Sequence, residues 1–363
     1  MAQHRNRRSR LDESRYDANS GTGIVSKPFI IPIFLPNAGC PHRCVFCDQR
    51  AISGQTAKRP ASTDVGNTIE GYLPYRKRGR SYTQVSFYGG NFLGLPFECQ
   101  SRLLKEASRY VQLGEVDSIR FSTRPDTITP IHLDRIEPYP VSTIELGAQS
   151  MDNQVLAASE RGHTAEDTIR AVDLLKSRGY EVGLQIMLGL PGDTGPRAMA
   201  TARTAAALCP DLVRIYPTVV LKNSTLAAWA DEGKYVPISL DSAVQLTKQM
   251  YVIFAEQGIP VVRMGLQSSS MLTASVIAAG PYHPAFGHLV LSALFLDKAV
   301  SALEALGNGT EAAVLSVHPA SISKARGYKN RNIAVLKQRF NYQSISVAGN
   351  ESLAEDEVTA RAL

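Results

Sequence analysis

Cysteine is scarce in this chain: five occur among 363 residues, and tryptophan occurs once. An odd handful of cysteines does not build a disulfide framework, and their use points to a reducing compartment, with the cytoplasm as the expected location. Long apolar runs are missing too, and none reaches the ~20 residues that a membrane-spanning helix needs. The first ten residues carry Arg5, Arg7, Arg8 and Arg10 with no apolar segment behind them, so no secretory signal is expected there. The rest of the composition is ordinary for a globular protein, at 44% hydrophobic and 20% charged. The length suits one large α/β domain, alone or with an extension.

Charge is unevenly placed. The formal net charge is +6, and part of it sits in the polar, aperiodic residues 1–27, which read as a disordered basic tail. A second run is Arg76-Lys77-Arg78-Gly79-Arg80, with Tyr72, Tyr75 and Tyr82 nearby. Such runs are solvated tails and loops, or footprints for the phosphates of RNA.

Three of the five cysteines fall within eight residues, Cys40-Pro-His-Arg-Cys44-Val-Phe-Cys47. Thiolates are soft ligands that suit an iron–sulfur cluster or zinc. Structural zinc asks for four ligands, and here only three cysteines cluster, with His42 able to complete a Cys3His set. Three thiolates on a [4Fe–4S] cluster leave one iron open to a further ligand. Phe46 stands where it could cover such a group with an apolar face, or it is a core residue. Cys99 and Cys209 are isolated and read as buried or incidental thiols.

From residue 28 onward strand and helix patterns alternate. Phe29–Leu35 reads as a strand running into the cysteine loop. Further strands are expected at 85–88, 118–123, 142–146, 182–188 and 212–216, separated by amphipathic helices. Thr164-Ala-Glu-Asp167 is a capping-box pattern, with Gly179 just past the same helix. Six such units with helical crossovers predict an α/β fold, a partial, open (β/α)6 TIM-like barrel over residues 28–217. Beyond it, 218–345 reads as a C-terminal α+β extension, including a strand at 260–264, and 346–363 as a flexible, acidic tail. In such barrels functional residues gather at the C-terminal strand ends. Cys40, Cys44, Cys47, Gly89, Gly90, Gln149 and Gly189 all follow expected strand ends.

Each of the other candidates has a plain reading beside a functional one. Gly89-Gly90-Asn91 is a sharp turn, or a place where backbone approaches a ligand closely. Gly189-Leu190-Pro191 is a strand–helix loop or a ligand contact. Gln149, Arg161 and Gln185 are surface or cap residues, or polar groups of a site. Tyr282 and His283, in Gly280-Pro-Tyr-His-Pro284, are loop packing or candidates for substrate contact and proton transfer.

The C-x3-C-x2-C spacing resembles the cluster loop of the radical S-adenosylmethionine (radical SAM) superfamily. The phrases Asn37-Ala-Gly-Cys-Pro-His-Arg-Cys-Val-Phe-Cys-Asp-Gln49, Tyr88-Gly-Gly90, Ser122-Thr-Arg-Pro-Asp126, Glu145-Leu-Gly-Ala-Gln-Ser150 and Gly189-Leu-Pro-Gly-Asp193 together resemble the elongator catalytic-subunit branch. A more distant likeness is to the anaerobic coproporphyrinogen dehydrogenases. The resemblance implies an enzyme with a [4Fe–4S] cluster on Cys40, Cys44 and Cys47 that cleaves S-adenosylmethionine to a 5′-deoxyadenosyl radical. It implies cofactor contacts from Gly89, Gly90, Asn91, Ser122, Glu145, Gln149, Arg161, Gln185, Gly189 and Pro191. Among these, Arg161 is expected on the carboxylate, Gln149 and Gln185 on ribose or methionine, and the Gly189 loop on adenine. A tRNA base is the expected substrate, with a flavodoxin or ferredoxin as electron donor. A small metabolite or tetrapyrrole is the alternative, and a non-catalytic zinc or iron–sulfur module is the alternative of another class. Two departures stand out. Ser122 occupies a position where the related families carry a ribose-binding Glu, and no acetyl-CoA pyrophosphate signature follows the barrel.

Overall fold

Residues along the strands alternate in polarity, and the computed structural model shows what the alternation serves. It describes residues 28–36, 38–41, 43–48, 62–76, 82–266, 275–307 and 311–363. The basic tail 1–27, His42 and Lys77–Arg80 lie outside the described residues. Seven parallel strands form one curled sheet in the order β1 (Phe29–Phe34), β2 (Thr83–Tyr88), β3 (Ser118–Thr123), β4 (Val141–Gln149), β5 (Glu181–Leu188), β6 (Leu212–Pro217) and β8 (Val261–Met264). One face of the strands carries Val85, Phe87, Ile119, Phe121, Ile144, Leu146, Leu184, Ile186, Val213 and Ile215, all within the main apolar core. Each such side chain contributes about 1.5–3 kcal/mol when fully buried. The helix Phe97–Gln112 closes over that face with Leu103, Leu104, Ala107 and Tyr110. The other face, period two out of step, carries Tyr88, Arg120, Ser122, Glu145, Gln185 and Arg214, whose side chains bond one another across the curl. The wall is therefore apolar outside and ionic inside.

Local signals act as expected. Thr164 and Asp167 form a reciprocal capping box on the helix Ala165–Ser177, and Gly179 takes φ 75° beyond it.

The sheet has seven strands where the sequence suggests six. Val261–Met264 belongs to the barrel, not to the extension, and pairs parallel with β6 (Arg214 opposite Arg263). Its connection, the helix Leu240–Glu256, supplies the crossover that a parallel neighbour needs. Four half-exposed residues at a sheet edge give too weak a pattern to reveal this from sequence.

Between these strands a short ribbon forms from β7 (Val220–Leu221) and β9 (Ile277–Ala279), antiparallel. The helix Phe286–Leu306 then leaves the barrel. Its first part packs Phe286 and Val290 into the main core, and its last part packs Ala299 and Leu303 into a second one. That second core also holds Ala313, Leu315, Leu336, Tyr342 and Ile345. It lies under a three-stranded sheet in the order β11 (Ser344–Gly349), β10 (Ala312–Val317), β12 (Val358–Ala362).

The expectation of a flexible tail over 346–363 is corrected here. β11 runs to Gly349, and β12 pairs antiparallel with β10. Val347, Val358 and Ala360 pack on the second core. The acidic residues occupy the intervening turn, where Asp356 meets Lys298 at 2.8 Å. Among the described residues no helix is long and apolar enough to cross a membrane.

Candidate functional site

The C-terminal ends of β2 to β6 open into a cavity of about 820 Å³. Cys40, Cys44 and Cys47 line it, with Gly89, Gly90, Ser122, Gln149, Arg161 and Gln185. The structure thus brings together nine of the residues singled out from sequence. Arg43, Tyr88, Arg124 and Tyr216 line it as well, and sequence reasoning missed them. For Tyr88 and Tyr216 the signal was a polar residue recurring every second position in otherwise apolar strands, as in Leu212-Val-Arg-Ile-Tyr216, while Arg43 and Arg124 lay inside the cysteine-loop and Ser122–Asp126 phrases.

The cysteine loop is held against the Gly89–Gly90 turn by backbone contact. Asn91 N–H donates to Ala38 O at 2.8 Å, and both glycines have positive φ, 83° and 69°. A Cβ on Gly90 would stand 2.2 Å from Ala38 O, so only glycine lets the two turns meet.

Asn91 clamps this junction. It is fully buried, its Nδ2 donates to Gly39 O at 3.0 Å, and its Oδ1 accepts from Thr123 Oγ1 at 2.6 Å and Arg124 N–H at 3.0 Å. Glu145 likewise lies behind the cavity wall and is fully buried. It accepts from Arg214 Nε at 2.7 Å, Arg120 Nη1 at 3.2 Å and Gln185 Nε2 at 2.9 Å. Burial alone would push its carboxyl up, but Arg214 and Arg120 outweigh burial and hold it below the usual carboxylate range. Arg214 also donates to Tyr88 OH at 2.9 Å. Glu145 therefore fixes the floor on which Gln185 and Tyr88 stand. Gln185 in turn donates to Ser122 Oγ at 3.1 Å.

The remaining candidates lie apart. Gly189 and Pro191 border a separate cavity of about 330 Å³ with Trp229 and Tyr235, whose hydroxyl donates to Gly189 O at 2.5 Å. Tyr282 packs on Val219 and Leu221, and His283 Nδ1 accepts from Ala285 N–H at 3.1 Å. Neither lines the main cavity. Cys99 is buried in the main core and Cys209 is exposed, both away from the cavity.

Cations dominate the polar wall. Arg161 Nη1 lies 3.1 Å from Cys44 Sγ, and Arg161 Nη2 donates to Gly147 O. Arg124 donates to the Arg161 carbonyl and to Asp126 Oδ1 at 2.9 Å. Gln149 holds φ 66° at the end of β4, a left-handed conformation costing about 1–3 kcal/mol in a non-glycine residue. His163, behind Arg161, meets Ala148 O at 3.2 Å. Burial first, then Arg161 and Arg124, push its imidazole down to about 4.

The donor set fits a metal cluster with a charged ligand beside it. Burial, then Cys44 and Cys40, push the Cys47 thiol up to about 12, and burial followed by Cys44 raises Cys40. A bound cation removes that penalty and lets the thiols ionise together. Among the described residues no three His, Cys, Asp or Glu side chains converge on a point suited to one metal ion. A cubane asks for a wider arrangement, since each thiolate holds its own iron. Three buried polar atoms on the cavity residues lack any hydrogen-bond partner: Arg161 Nε, Arg124 Nη1 and Gln149 Oε1. The two orphaned guanidinium donors, Arg161 Nε and Arg124 Nη1, suit a carboxylate-bearing ligand, and the Gln149 oxygen suits a donor on it.

A curled parallel half-barrel thus opens a thiol-lined cavity at its strand mouths. The chain belongs to the radical SAM superfamily: the Radical SAM superfamily model matches residues 34–205, and the Radical SAM C-terminal domain matches 210–295. Membership brings a [4Fe–4S] cluster and S-adenosylmethionine as cofactors. An uncharacterized protein of Methanocaldococcus jannaschii is 31% identical over 232 residues, which are 61% of this chain and 70% of that protein. The tRNA uridine(34) acetyltransferase of Methanocaldococcus infernus is 25% identical over 304 residues, covering 73% of this chain and 56% of the relative. The solved archaeal Methanocaldococcus infernus Elp3 with an N-terminal deletion shares the fold, with TM-score 0.58 and 21% identity over 74% of this chain and 63% of that one. The chain spans about half the length of the tRNA uridine acetyltransferases it matches, and the branch it resembles is Elp3-like.

Proposed function

We propose that this enzyme applies radical SAM chemistry to a base of tRNA. Bound together, cluster and S-adenosylmethionine supply a carbon-centred radical that removes hydrogen from a substrate. In this reading Cys40, Cys44 and Cys47 ligate the cluster. Arg161 and Arg124 hold the sulfonium compound's carboxylate with their spare donors, and the Gly89–Gly90 backbone takes its amino group. Ser122, Gln149 and Gln185 face its ribose and methionine portions. Phe46, packed among Val45, Val220 and Leu226, shields the cluster side of the cavity from water. Gly189 and Pro191 border the separate, smaller cavity and take no part in this placement. An acidic flavodoxin or ferredoxin supplies the electron.

The observation that carries the RNA reading is the span of the likeness to tRNA-modifying relatives. It covers 73% of this chain, more than the barrel alone. The cavity supports it: 820 Å³ stands high in the range of about 300–1,000 Å³ typical of small-ligand sites and leaves room beside one nucleoside for another. The test is anaerobic incubation of the reduced, cluster-loaded enzyme with S-adenosylmethionine and deuterated tRNA. Deuterium in 5′-deoxyadenosine is the expected result. Turnover of S-adenosylmethionine without deuterium transfer from any RNA would reject tRNA as substrate.

A further inference from the structure

Residues 312–350 contain no Asp or Glu but six cations, Lys324, Arg326, Lys329, Arg331, Lys337 and Arg339. They lie in the C-terminal unit, past residue 295 where the family match ends. Two are neutralised: Arg331 faces Asp241 at 3.4 Å, and Arg339 faces Glu304 at 2.8 Å. Lys324 lies 5.7 Å over the Phe295 ring and near Ser321 Oγ. Arg326, Lys329 and Lys337 are exposed and, among the described residues, make no ion pair. Between them stands Tyr328, 43% exposed, with Lys329 Nζ 5.5 Å from its ring centroid. Lys337 is exposed on the helix Arg331–Phe340 that follows.

This patch is joined to the reaction cavity. The Tyr328 ring meets the His283 ring edge-on at 5.2 Å. His283 lies seven residues past Val276, which lines the cavity together with Asn223. Seven residues span at most about 25 Å. Lys222, exposed, donates its N–H to Val276 O at 2.9 Å, and exposed Arg43 stands on the cavity rim. Arg43 and Lys222 thus stand at the cavity end of this stretch, and Arg326 and Lys329 flank Tyr328 at its other end.

We infer that the surface formed by Arg326, Tyr328, Lys329 and Lys337 docks the backbone of a single-stranded or looped RNA whose reactive base enters the cavity. This rests on the RNA reading above. Unpaired cations bind phosphates by releasing counterions, and an exposed tyrosine flanked by cations is a platform on which an unpaired base stacks. A polymeric substrate needs such a path leading out of the reaction cavity, and a small metabolite does not.

The test uses the cluster-loaded enzyme, bulk tRNA and anaerobic binding measurements between 50 and 200 mM salt. The variant R326S/K329S/K337S removes three exposed charges, and Y328A removes the platform. At about 0.7 per phosphate contact, the triple variant should flatten the slope of log K against log salt by about 2 and weaken binding about tenfold or more at 150 mM. Y328A should weaken binding with the slope unchanged. RNA-independent formation of 5′-deoxyadenosine should stay at the wild-type rate in both, which also reports an intact fold. Wild-type slope and affinity in the triple variant would overturn the inference while leaving the RNA reading standing. Salt-indifferent or absent tRNA binding by the wild type would reject the RNA reading itself. Normal tRNA binding combined with slower reduction by an acidic flavodoxin, but not by dithionite, would assign the surface to the electron donor and overturn the inference.

Discussion

Arg161 and Cys44 are 117 residues apart in sequence, yet Arg161 Nη1 lies 3.1 Å from Cys44 Sγ. The contact ties the cluster loop to the loop between the helices Asn153–Ala158 and Ala165–Ser177, and leaves Arg161 Nε as a spare buried donor. Changing Arg161→Lys removes the planar fork while keeping the charge. A charged hydrogen bond contributes about 1.5–3 kcal/mol, so binding of S-adenosylmethionine should weaken about tenfold to a hundredfold. Equilibrium dialysis with the cluster-loaded variant measures this. Unchanged affinity would remove Arg161 from the ligand-binding set.

Glu145 anchors the ionic interior of the barrel. Replacing Glu145→Gln leaves Arg120 and Arg214 buried without their counter-charge, and breaking such a pair costs about 3–5 kcal/mol. Chemical denaturation of the variant should show a loss of that order. A loss below about 1 kcal/mol would mean that the two guanidiniums find other partners.

His163 gives a pH signature. Its folded imidazole is held down at about 4, against about 6.5 in the unfolded chain. The unfolded state therefore takes up a proton first as pH falls. His163 contributes no pH dependence above about 7, and stability drains away between about 6.5 and 4. The expected loss over that window is about 3 kcal/mol, and the His163→Gln variant should lose less over the same range. Equal pH profiles for the two proteins would show that His163 is not held neutral.

Gly90→Ala should separate the cysteine loop from its partner turn. The added methyl meets Ala38 O at 2.2 Å, and φ 69° is a left-handed conformation unfavourable to alanine by about 1–2 kcal/mol. Iron content after anaerobic reconstitution should fall by half or more, while the far-ultraviolet spectrum stays that of the wild type. Full iron loading would show that the loop tolerates the shift.

The cysteine loop, the strand ends and the capping box were legible because each is a local pattern. The interior of the barrel was not. Arg214 or Arg120, seen alone in a strand, reads as a solvent-facing residue. Only the pairing of β3, β4, β5 and β6 turns both toward Glu145. For the same reason the burial of Asn91 and Glu145 behind the cavity wall could not be read: a motif shows which residues gather near a site but not on which side of its wall they stand. Tyr282 and His283 drew notice through a Gly-Pro-Tyr-His phrase, whereas the fold packs them against β7 and the C-terminal unit. β12 escaped notice because its acidic prelude resembles a fraying end, and only β10 beside it gives Val358 and Ala360 a surface to cover.

The helix Phe286–Leu306 threads two hydrophobic interiors like a shared axle. Cutting the protein where the family match stops, at residue 295, would sever this rod near its middle and strip Ala299 and Leu303 from their surroundings. A shortened version for crystallisation or engineering therefore has no natural seam at that point, and the barrel and the small sheet behind it should melt as one cooperative body.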